Sequence, residues 1–174
     1  PRSPAPHRGF GVSARPVRVG IVGCGNIALR AHLPLWQELD GAEVVAIADP
    51  GAEPLERLRE AAGLAPGDAH RDAAELVARD DVDVVDVCTP QAYRRDVLVA
   101  AAEAGKHILC EKPLTTAPVD AEAAVLAAER AGVQFGVVHN YLATPESLAA
   151  QAAVDRGEIG TVRSVIVNFL GTVY

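Results

Sequence analysis

The amino-acid sequence predicts a doubly wound α/β domain, in which a parallel sheet carries helices on both faces. Short apolar runs alternate with Ala-rich helical segments from Val17 onward, and this alternation implies right-handed crossovers between parallel strands. The composition agrees, because 49% of the 174 residues are hydrophobic while only 4% are aromatic and none is Met. A core made of Val, Ala, Leu and Ile suits strands that are buried on both faces.

The strands and helices can be placed in order along the chain. Strands are predicted before residue 140 over 17–22, 43–49, 83–88, 107–110 and 134–138. Helices are predicted between them near 26–39, 53–63, 72–79, 91–104 and 118–131. Glycine is the commonest residue just after a helix, and it follows these helical stretches at Gly41, Gly63, Gly105 and Gly132.

Segments of different character flank the predicted domain, which spans residues 17–140. Residues 1–16 are rich in Pro, Arg, Ser and Gly and lack the apolar stretch of a secretory signal, so they predict a disordered arm. Residues 141–174 predict a linker helix that begins after Thr144 and ends near Gly157, then a long strand over 161–174. That strand has no partner in the sequence, so it predicts the first strand of an incomplete α+β domain.

Charge and composition exclude several classes of protein. The formal net charge is −7 and no long run of Lys or Arg occurs, so we expect no binding of nucleic acid. No apolar run reaches the roughly 18–20 residues of a membrane helix. The cysteines lie at strand ends without disulfide or zinc spacing. We therefore expect buried thiols, no metal site and a cytoplasmic location; the cysteines are Cys24, Cys88 and Cys110.

A glycine-rich turn follows the first predicted strand. The pattern is GxGxxA, in which the first glycine permits a tight turn and the second lets the backbone approach a pyrophosphate. The small third residue lets the helix pack on the strand, and the helix N-terminus offers N–H groups to phosphates. The pattern alone would also fit any flexible turn. Its place between a strand and a helix predicts a Rossmann dinucleotide site at Gly23, Gly25, Asn26, Ile27 and Ala28.

An acidic residue ends the second predicted strand. Asp49 lies 21 residues after Ala28, close to the spacing of the carboxylate that binds the adenosine ribose. A carboxylate accepts bonds from ribose hydroxyls but repels a 2′-phosphate, and Pro50 stands where an arginine could have bound that phosphate. The sequence therefore predicts NAD rather than NADP. The alternative, a turn aspartate in Asp-Pro-Gly, is less favoured directly after an apolar strand.

Two later strands end in polar residues at the same predicted edge. Thr89 and Pro90 follow one strand, where a dinucleotide crosses the sheet, and we expect them to touch the nicotinamide half. Alternatively, Thr89 caps the next helix. Asp86 within that strand needs a hydrogen-bond partner if it is buried. The strand at 107–110 ends in Glu111 and Lys112, which place a carboxylate and an ammonium in the same crevice.

These motifs together resemble the Gfo/Idh/MocA oxidoreductase family, which includes glucose–fructose oxidoreductase and inositol dehydrogenase. The similar segments are RVGIVGCGNIA, HLP at 32–34, VVAIAD, VCTP, AGKHILCEKPL and HNY at 139–141. The resemblance implies that the glycine-rich turn holds the pyrophosphate and Asp49 the adenosine ribose. It also implies that Glu111 and Lys112 lie by the nicotinamide ribose and the substrate.

The resemblance further assigns catalytic and substrate-binding residues. Lys112 would be the catalytic residue, hydrogen-bonding the oxygen on the reacting carbon and assisting proton movement; a surface salt bridge is the alternative. His139, Asn140 and Tyr141 would line the substrate entrance, although His139 fits a structural role equally well. Arg94 stands where the family commonly has histidine, which places that contact in doubt.

Two functions therefore remain open at this point. The first is an NAD-dependent oxidoreductase that transfers hydride between a secondary alcohol of a sugar, polyol or sugar derivative and the corresponding ketone. The second is a non-catalytic dinucleotide-binding module or a fragment without its substrate domain, because no histidine follows residue 139 and the family's catalytic histidine is expected beyond residue 174. An unpaired strand over 161–174 would also invite pairing with another copy of the chain.

Overall fold

A computed structural model describes residues 15–166 of the chain. The chain divides into two compact units, with the boundary between Val138 and His139. The first unit contains six strands, which are β1 (Val17–Val22), β2 (Ala42–Ala48), β3 (Ala69–His70), β4 (Val84–Val87), β5 (His107–Cys110) and β6 (Phe135–Val137). They form one parallel sheet in the order β3-β2-β1-β4-β5-β6, which is the Rossmann order. The predicted fold class is confirmed.

The helices follow the strands as the sequence predicts. They are α1 (Leu33–Glu38), α2 (Ala52–Ala62), α3 (Ala73–Val77), α4 (Arg94–Glu103), α5 (Pro118–Ala131) and, in the second unit, α6 (Pro145–Asp155). The glycines predicted to follow helices all have positive φ, a conformation that glycine adopts without steric cost. Gly63 and Gly132 are the left-handed C-caps of α2 and α5.

The apolar core of the first unit has two layers, one on each face of the sheet. Successive side chains of a strand point to opposite faces, and the core follows this rule. Ile21 and Ile47 pack with Leu33, Leu55 and Leu58 of α1 and α2. The other layer joins alternate residues of the same strands to the Ala-rich faces of α3, α4 and α5, including Val22, Ala48, Leu76, Leu98 and Ala124. Helices therefore cover both faces of the sheet.

The first helix departs from the predicted α-helical geometry. Ahead of α1 lies a π-helical turn, Ala28–His32, in which the N–H of Leu33 reaches the carbonyl of Ala28. Pro34 lies at the first turn of α1; it has no N–H, and its ring would clash with the carbonyl four residues earlier. The wider turn accommodates it. Such turns occur often at functional sites.

Two further differences concern short or terminal segments. The two-residue strand β3 is not predicted from the sequence. Of the strand expected over 161–174, residues 161–166 are not part of a strand, and residues 167–174 lie outside the described residues. The arm expected over 1–16 also lies almost wholly outside them, but Arg15 is described and its guanidinium pairs with Asp83 at 2.8 Å.

The second unit contains the predicted linker helix. Thr144 is its N-cap, with its hydroxyl accepting the N–H of Ser147 at 3.3 Å, and Pro145 occupies the first turn, as the sequence indicates. α6 ends at Asp155, shortly before Gly157 with its positive φ. Across residues 15–166, every helix is too short or too polar to cross a membrane.

Candidate functional site

A cleft of about 960 Å³ lies at the carboxyl edge of the sheet. It is bordered by the turns that follow β1, β2, β4 and β5, which is where doubly wound sheets bind their ligands. The residues predicted to bind the cofactor border it, namely Gly23, Gly25, Ile27, Asp49, Thr89, Pro90, Glu111 and Lys112. Two others are placed differently, because Asn26 is exposed outside the lining and Ala28 is fully buried under the turn.

The two glycines of the turn serve different structural needs. Gly23 has φ +94°, and a Cβ on it would lie 2.7 Å from the main-chain nitrogen of Thr89, so glycine lets the turn pack against the end of β4. A Cβ on Gly25 would meet no atom within 4 Å. Gly25 therefore leaves open space beside the backbone on the side of the cleft. A pyrophosphate needs such space to approach the main chain. The contact of Gly25 with the pyrophosphate stays a prediction.

Asp49 connects the end of β2 to the glycine-rich turn. One carboxylate oxygen accepts the N–H of Cys24 at 2.8 Å, and the other accepts the N–H of Gly51 at 2.7 Å. The second bond belongs to the local turn, while the first crosses to a residue 25 positions away. Each carboxylate oxygen retains a further acceptor site, so the group can still bind ribose hydroxyls.

Thr89 has an unpaired hydroxyl at the cleft. Its Oγ1 is buried and has no hydrogen-bond partner among residues 15–166. A short 3₁₀ turn, Gln91–Tyr93, precedes α4 and begins without a side-chain cap, so the helix-capping alternative has no support in the structure. Buried polar groups are normally paired. An orphan hydroxyl on the cleft lining fits a polar group of a bound dinucleotide.

Lys112, the predicted catalytic residue, lies at the cleft. The residue is exposed and borders the cavity. Within the described part of the chain, its ammonium forms no ion pair, so the surface salt-bridge alternative finds no partner there. Its role in catalysis stays a prediction.

Glu111 is turned into the protein. The residue is only 7% exposed, although it borders the cleft. One oxygen of its carboxylate lies 3.3 Å from Nε2 of His32, and the other accepts the main-chain N–H of Lys112 at 2.8 Å. Its predicted contact with the nicotinamide ribose is untested, and its carboxylate already has two partners in the protein.

The structure supplies the partner that Asp86 requires. Asp86 is fully buried, and one of its oxygens lies 2.8 Å from Nδ1 of His32 and accepts the indole N–H of Trp36 at 2.7 Å. Burial alone lowers the pKa of His32, but the bonds and charges of Asp86 and Glu111 outweigh it, so this pKa lies above its ordinary value. Sequence reasoning missed His32 as a site residue, although it begins the HLP segment.

Arg94 joins the turns that follow β4 and β5. The residue is buried, and its guanidinium donates to the carbonyl of Thr89 at 2.8 Å and to the carbonyls of Glu111 and Pro113. Arg94 stands at the position where the family resemblance leads us to expect histidine. Its guanidinium connects the two turns by hydrogen bonds to their main-chain carbonyls.

A second grouping at the same place has the composition of a metal site. His32, Asp86 and Cys88 bring ligand-type atoms within 4.8 Å of one another. Asp86 already bonds to both other groups, because it lies 2.8 Å from Nδ1 of His32 and accepts the Cys88 thiol at 3.8 Å. Burial, followed by the charges of Asp86 and Glu111, raises the pKa of this thiol, and a metal needs the thiolate. We therefore assign the grouping to a hydrogen-bond network. All three cysteines are free and buried, as predicted.

The predicted substrate residues lie in the second unit. His139, Asn140 and Tyr141 are exposed and lie at a 3₁₀ turn, Asn140–Ala143, that precedes α6. Their part in substrate binding stays a prediction.

Comparison with known proteins agrees with the observed fold. Residues 17–139 match the family profile for GFO_IDH_MocA, described as an oxidoreductase family with an NAD-binding Rossmann fold. The chain belongs to the Gfo/Idh/MocA oxidoreductase family. The resemblance seen in the sequence is thereby confirmed, and so is the dinucleotide-binding fold of this family member.

Individual relatives share the same region. The chain is 38% identical to D-apiose dehydrogenase of Paraburkholderia graminis, over 81% of this chain and 37% of the relative. It is 35% identical to a dTDP-3,4-didehydro-2,6-dideoxy-alpha-D-glucose 3-reductase of Actinomadura kijaniata, over 90% of this chain and 46% of the relative. The chain thus spans less than half the length of these curated relatives.

Solved structures of family members superpose well. KijD10, a 3-ketoreductase from Actinomadura kijaniata in complex with NADP, aligns with a TM-score of 0.75 and 35% identity, over 86% of this chain and 47% of that one. The WlbA dehydrogenase from Bordetella pertussis, in complex with NADH and UDP-GlcNAcA, aligns with a TM-score of 0.77 and 30% identity, over 84% of this chain and 44% of that one.

Proposed function

We propose that this chain is the NAD-binding part of an oxidoreductase that interconverts a secondary alcohol of a sugar, polyol or sugar derivative and the corresponding ketone. One observation carries the proposal: Lys112 and Thr89 border the same cleft as the glycine-rich turn, and among residues 15–166 the Lys112 ammonium has no ion-pair partner and the Thr89 hydroxyl no hydrogen-bond partner. The names of the relatives, a sugar dehydrogenase and a sugar-nucleotide reductase, support the substrate class.

Each residue of the cleft has a distinct part in this function. NAD, when bound, supplies or accepts the hydride. Gly25 leaves room for its pyrophosphate, and Asp49 accepts hydrogen bonds from its adenosine ribose. Thr89 bonds to a polar group of its nicotinamide half. Lys112 donates a hydrogen bond to the substrate oxygen and moves the proton at that atom.

The preference for NAD over NADP rests on charge. The Asp49 carboxylate at the end of β2 would repel a 2′-phosphate, and Pro50 beside it carries no cation. The known structures of relatives include a complex with NADP and another with NADH, so the family uses both cofactors. Asp49→Ser should narrow the difference between NADH and NADPH affinity, because it removes the carboxylate while keeping a hydroxyl near Cys24.

Fluorescence titration of the purified chain with NADH and, separately, with NADPH tests the cofactor assignment. We expect saturable NADH binding, weaker NADPH binding, and loss of NADH binding in Gly25→Val, because the larger side chain fills the space left by Gly25. Failure of the folded wild-type chain to bind either nucleotide would contradict the proposal.

Catalysis is tested separately by supplying polyols and sugars together with NAD. Appearance of NADH that is abolished by Lys112→Ala would support the oxidoreductase and this role of Lys112. Activity that survives in Lys112→Ala would remove Lys112 from the mechanism. Binding of NADH without turnover of any substrate would favour the alternative, a dinucleotide-binding module, for this chain alone.

We further propose a cytoplasmic setting without nucleic-acid partners, since the chain has a net charge of −7 and three cysteines without a disulfide pattern. Association between copies is expected through residues 161–174, on the sequence pattern of that segment. Analytical ultracentrifugation tests the association, and a monomer at high concentration would exclude it.

A further inference from the structure

A buried network of polar contacts lies below the cleft and ends at the main-chain N–H of Lys112. Asp86 accepts the indole N–H of Trp36 and lies 2.8 Å from one ring nitrogen of His32. The other ring nitrogen lies 3.3 Å from Glu111, whose second oxygen accepts the Lys112 N–H at 2.8 Å. This network of hydrogen bonds therefore joins the first helix, β4 and the turn after β5.

We infer that His32, held by Asp86, is a positioning residue that fixes Glu111 and, through Glu111, the main chain at Lys112. This inference deepens the proposed function, because it concerns the residue that we propose for proton movement. The sequence patterns assign neither His32 nor Asp86 to the site, and the structure brings both residues to Glu111 below the cleft.

The protonation of His32 follows from its partners. Both ring nitrogens face carboxylate oxygens, and an ionised carboxylate can only accept hydrogen bonds. Burial lowers the pKa of the His32 ring, but the bonds and charges of the two acids raise it more, which favours the protonated ring that can donate to both acids. A protonated ring paired with acids on both sides is the arrangement that makes a buried charge tolerable.

Glu111 depends on this cation. At 7% exposure, an ionised carboxylate without a charged partner would either bind a proton or turn toward solvent. In both cases the Lys112 N–H loses its charged acceptor. Among the described residues, the other charged or titratable groups at this network are Asp86, Arg94 and the thiols of Cys88 and Cys110. The Arg94 guanidinium and the Cys110 thiol both contact the main-chain carbonyl of Glu111.

The local backbone explains how a helix delivers the histidine. His32 ends the π-helical turn Ala28–His32 and is only 6% exposed. The extra residue in that turn changes the direction of the side chains that follow it. A polar side chain is thereby placed against the carboxyl ends of two neighbouring strands. Both ring nitrogens of His32 thus face an acid.

Nuclear magnetic resonance of the full chain without nucleotide tests the inference. The probe is the main-chain amide of Lys112, followed by its chemical shift and its hydrogen-exchange rate from pH 5 to 6.5. We expect the Lys112 amide shift to depend more strongly on pH in His32→Leu than in the wild type, because Glu111 then lacks the partner at His32 Nε2. Exchange of this amide should accelerate by about tenfold or more, the factor that loss of one charge-assisted hydrogen bond gives.

Two further variants distinguish positioning from general damage. In the double variant His32→Leu with Glu111→Gln, a neutral amide oxygen accepts the Lys112 N–H without a cation, so the additional pH dependence should disappear again. His70→Leu is the matched control, because His70 also contacts a glutamate, Glu75, at 3.2 Å but lies at β3; it should leave the Lys112 amide unchanged.

Each outcome decides the question. A folded His32→Leu chain with a Lys112 amide like that of the wild type would overturn the inference. If His32→Leu does not fold, Glu111→Gln alone replaces it: the titration midpoint of the His32 ring should then fall toward the ordinary value, and an unchanged midpoint would overturn the inference. These readouts need no nucleotide, so they remain valid if NADH binding fails.

Discussion

Gly23→Ala would show how strongly the glycine-rich turn depends on its packing against β4. An alanine at φ +94° costs about 1–2 kcal/mol in backbone strain. Its Cβ would also lie 2.7 Å from the nitrogen of Thr89 and 2.8 Å from the carbonyl carbon of Cys88. Because those are main-chain atoms of a strand end, they cannot rotate away, and overpacking adds about 1–3 kcal/mol. We expect a total loss of about 2–5 kcal/mol in the free energy of unfolding.

Two matched glycines separate the contributions in urea unfolding experiments. Gly41 has φ +84°, and a Cβ there would meet no atom within 4 Å, so Gly41→Ala should lose only the strain of about 1–2 kcal/mol. Gly25→Ala has neither strain nor collision, so its stability should stay within about 0.5 kcal/mol of the wild type while NADH affinity falls. Equal losses in Gly23→Ala and Gly41→Ala would refute the packing argument.

Substitutions of two charged residues, Arg94 and Asp83, test how much each contributes to the stability of the first unit. Arg94→Met removes the guanidinium that donates to three main-chain carbonyls and should lower the free energy of unfolding by about 2–4 kcal/mol in urea, with partial recovery in Arg94→Lys; unchanged stability would contradict this. Arg15 and Arg18 hold the pKa of Asp83 well below its usual range, so the stability it adds is present above the ordinary aspartate pKa and is lost as pH falls through the lowered value. Asp83→Asn should therefore lower the melting temperature at pH 7, and its melting temperature should fall less than that of the wild type as the pH is lowered. Parallel curves of melting temperature against pH for the two proteins would disprove this.

The local patterns of the sequence predicted those parts of the site that depend on one turn or one strand. GxGxxA after β1 and Asp49 after β2 each need only a strand end and a short turn, and both border the cleft. The strand β3 was missed because two residues give no periodicity. The π-helical turn was missed because an α-helix and a π-helix share the same amphipathic pattern over a few residues.

The network below the cleft could not be read from local patterns, because its members are far apart in the chain. His32 and Asp86 are 54 positions apart, and His32 and Glu111 are 79 positions apart. The sheet order brings them together, since β4 pairs with both β1 and β5 and Asp86 lies opposite Leu109, two residues before Glu111.

One signal was nevertheless present in the sequence. An aspartate inside an apolar strand must find a donor, and the strand order of a doubly wound sheet restricts where that donor can lie. The helical segment after β1 packs against β1, which is the strand that pairs with β4. The polar residues of that segment are therefore the first candidates, and His32 and Trp36 bond to Asp86. A lone acid in a central strand is thus a reason to search the first crossover helix for its partner, before any assumption that the acid faces the ligand.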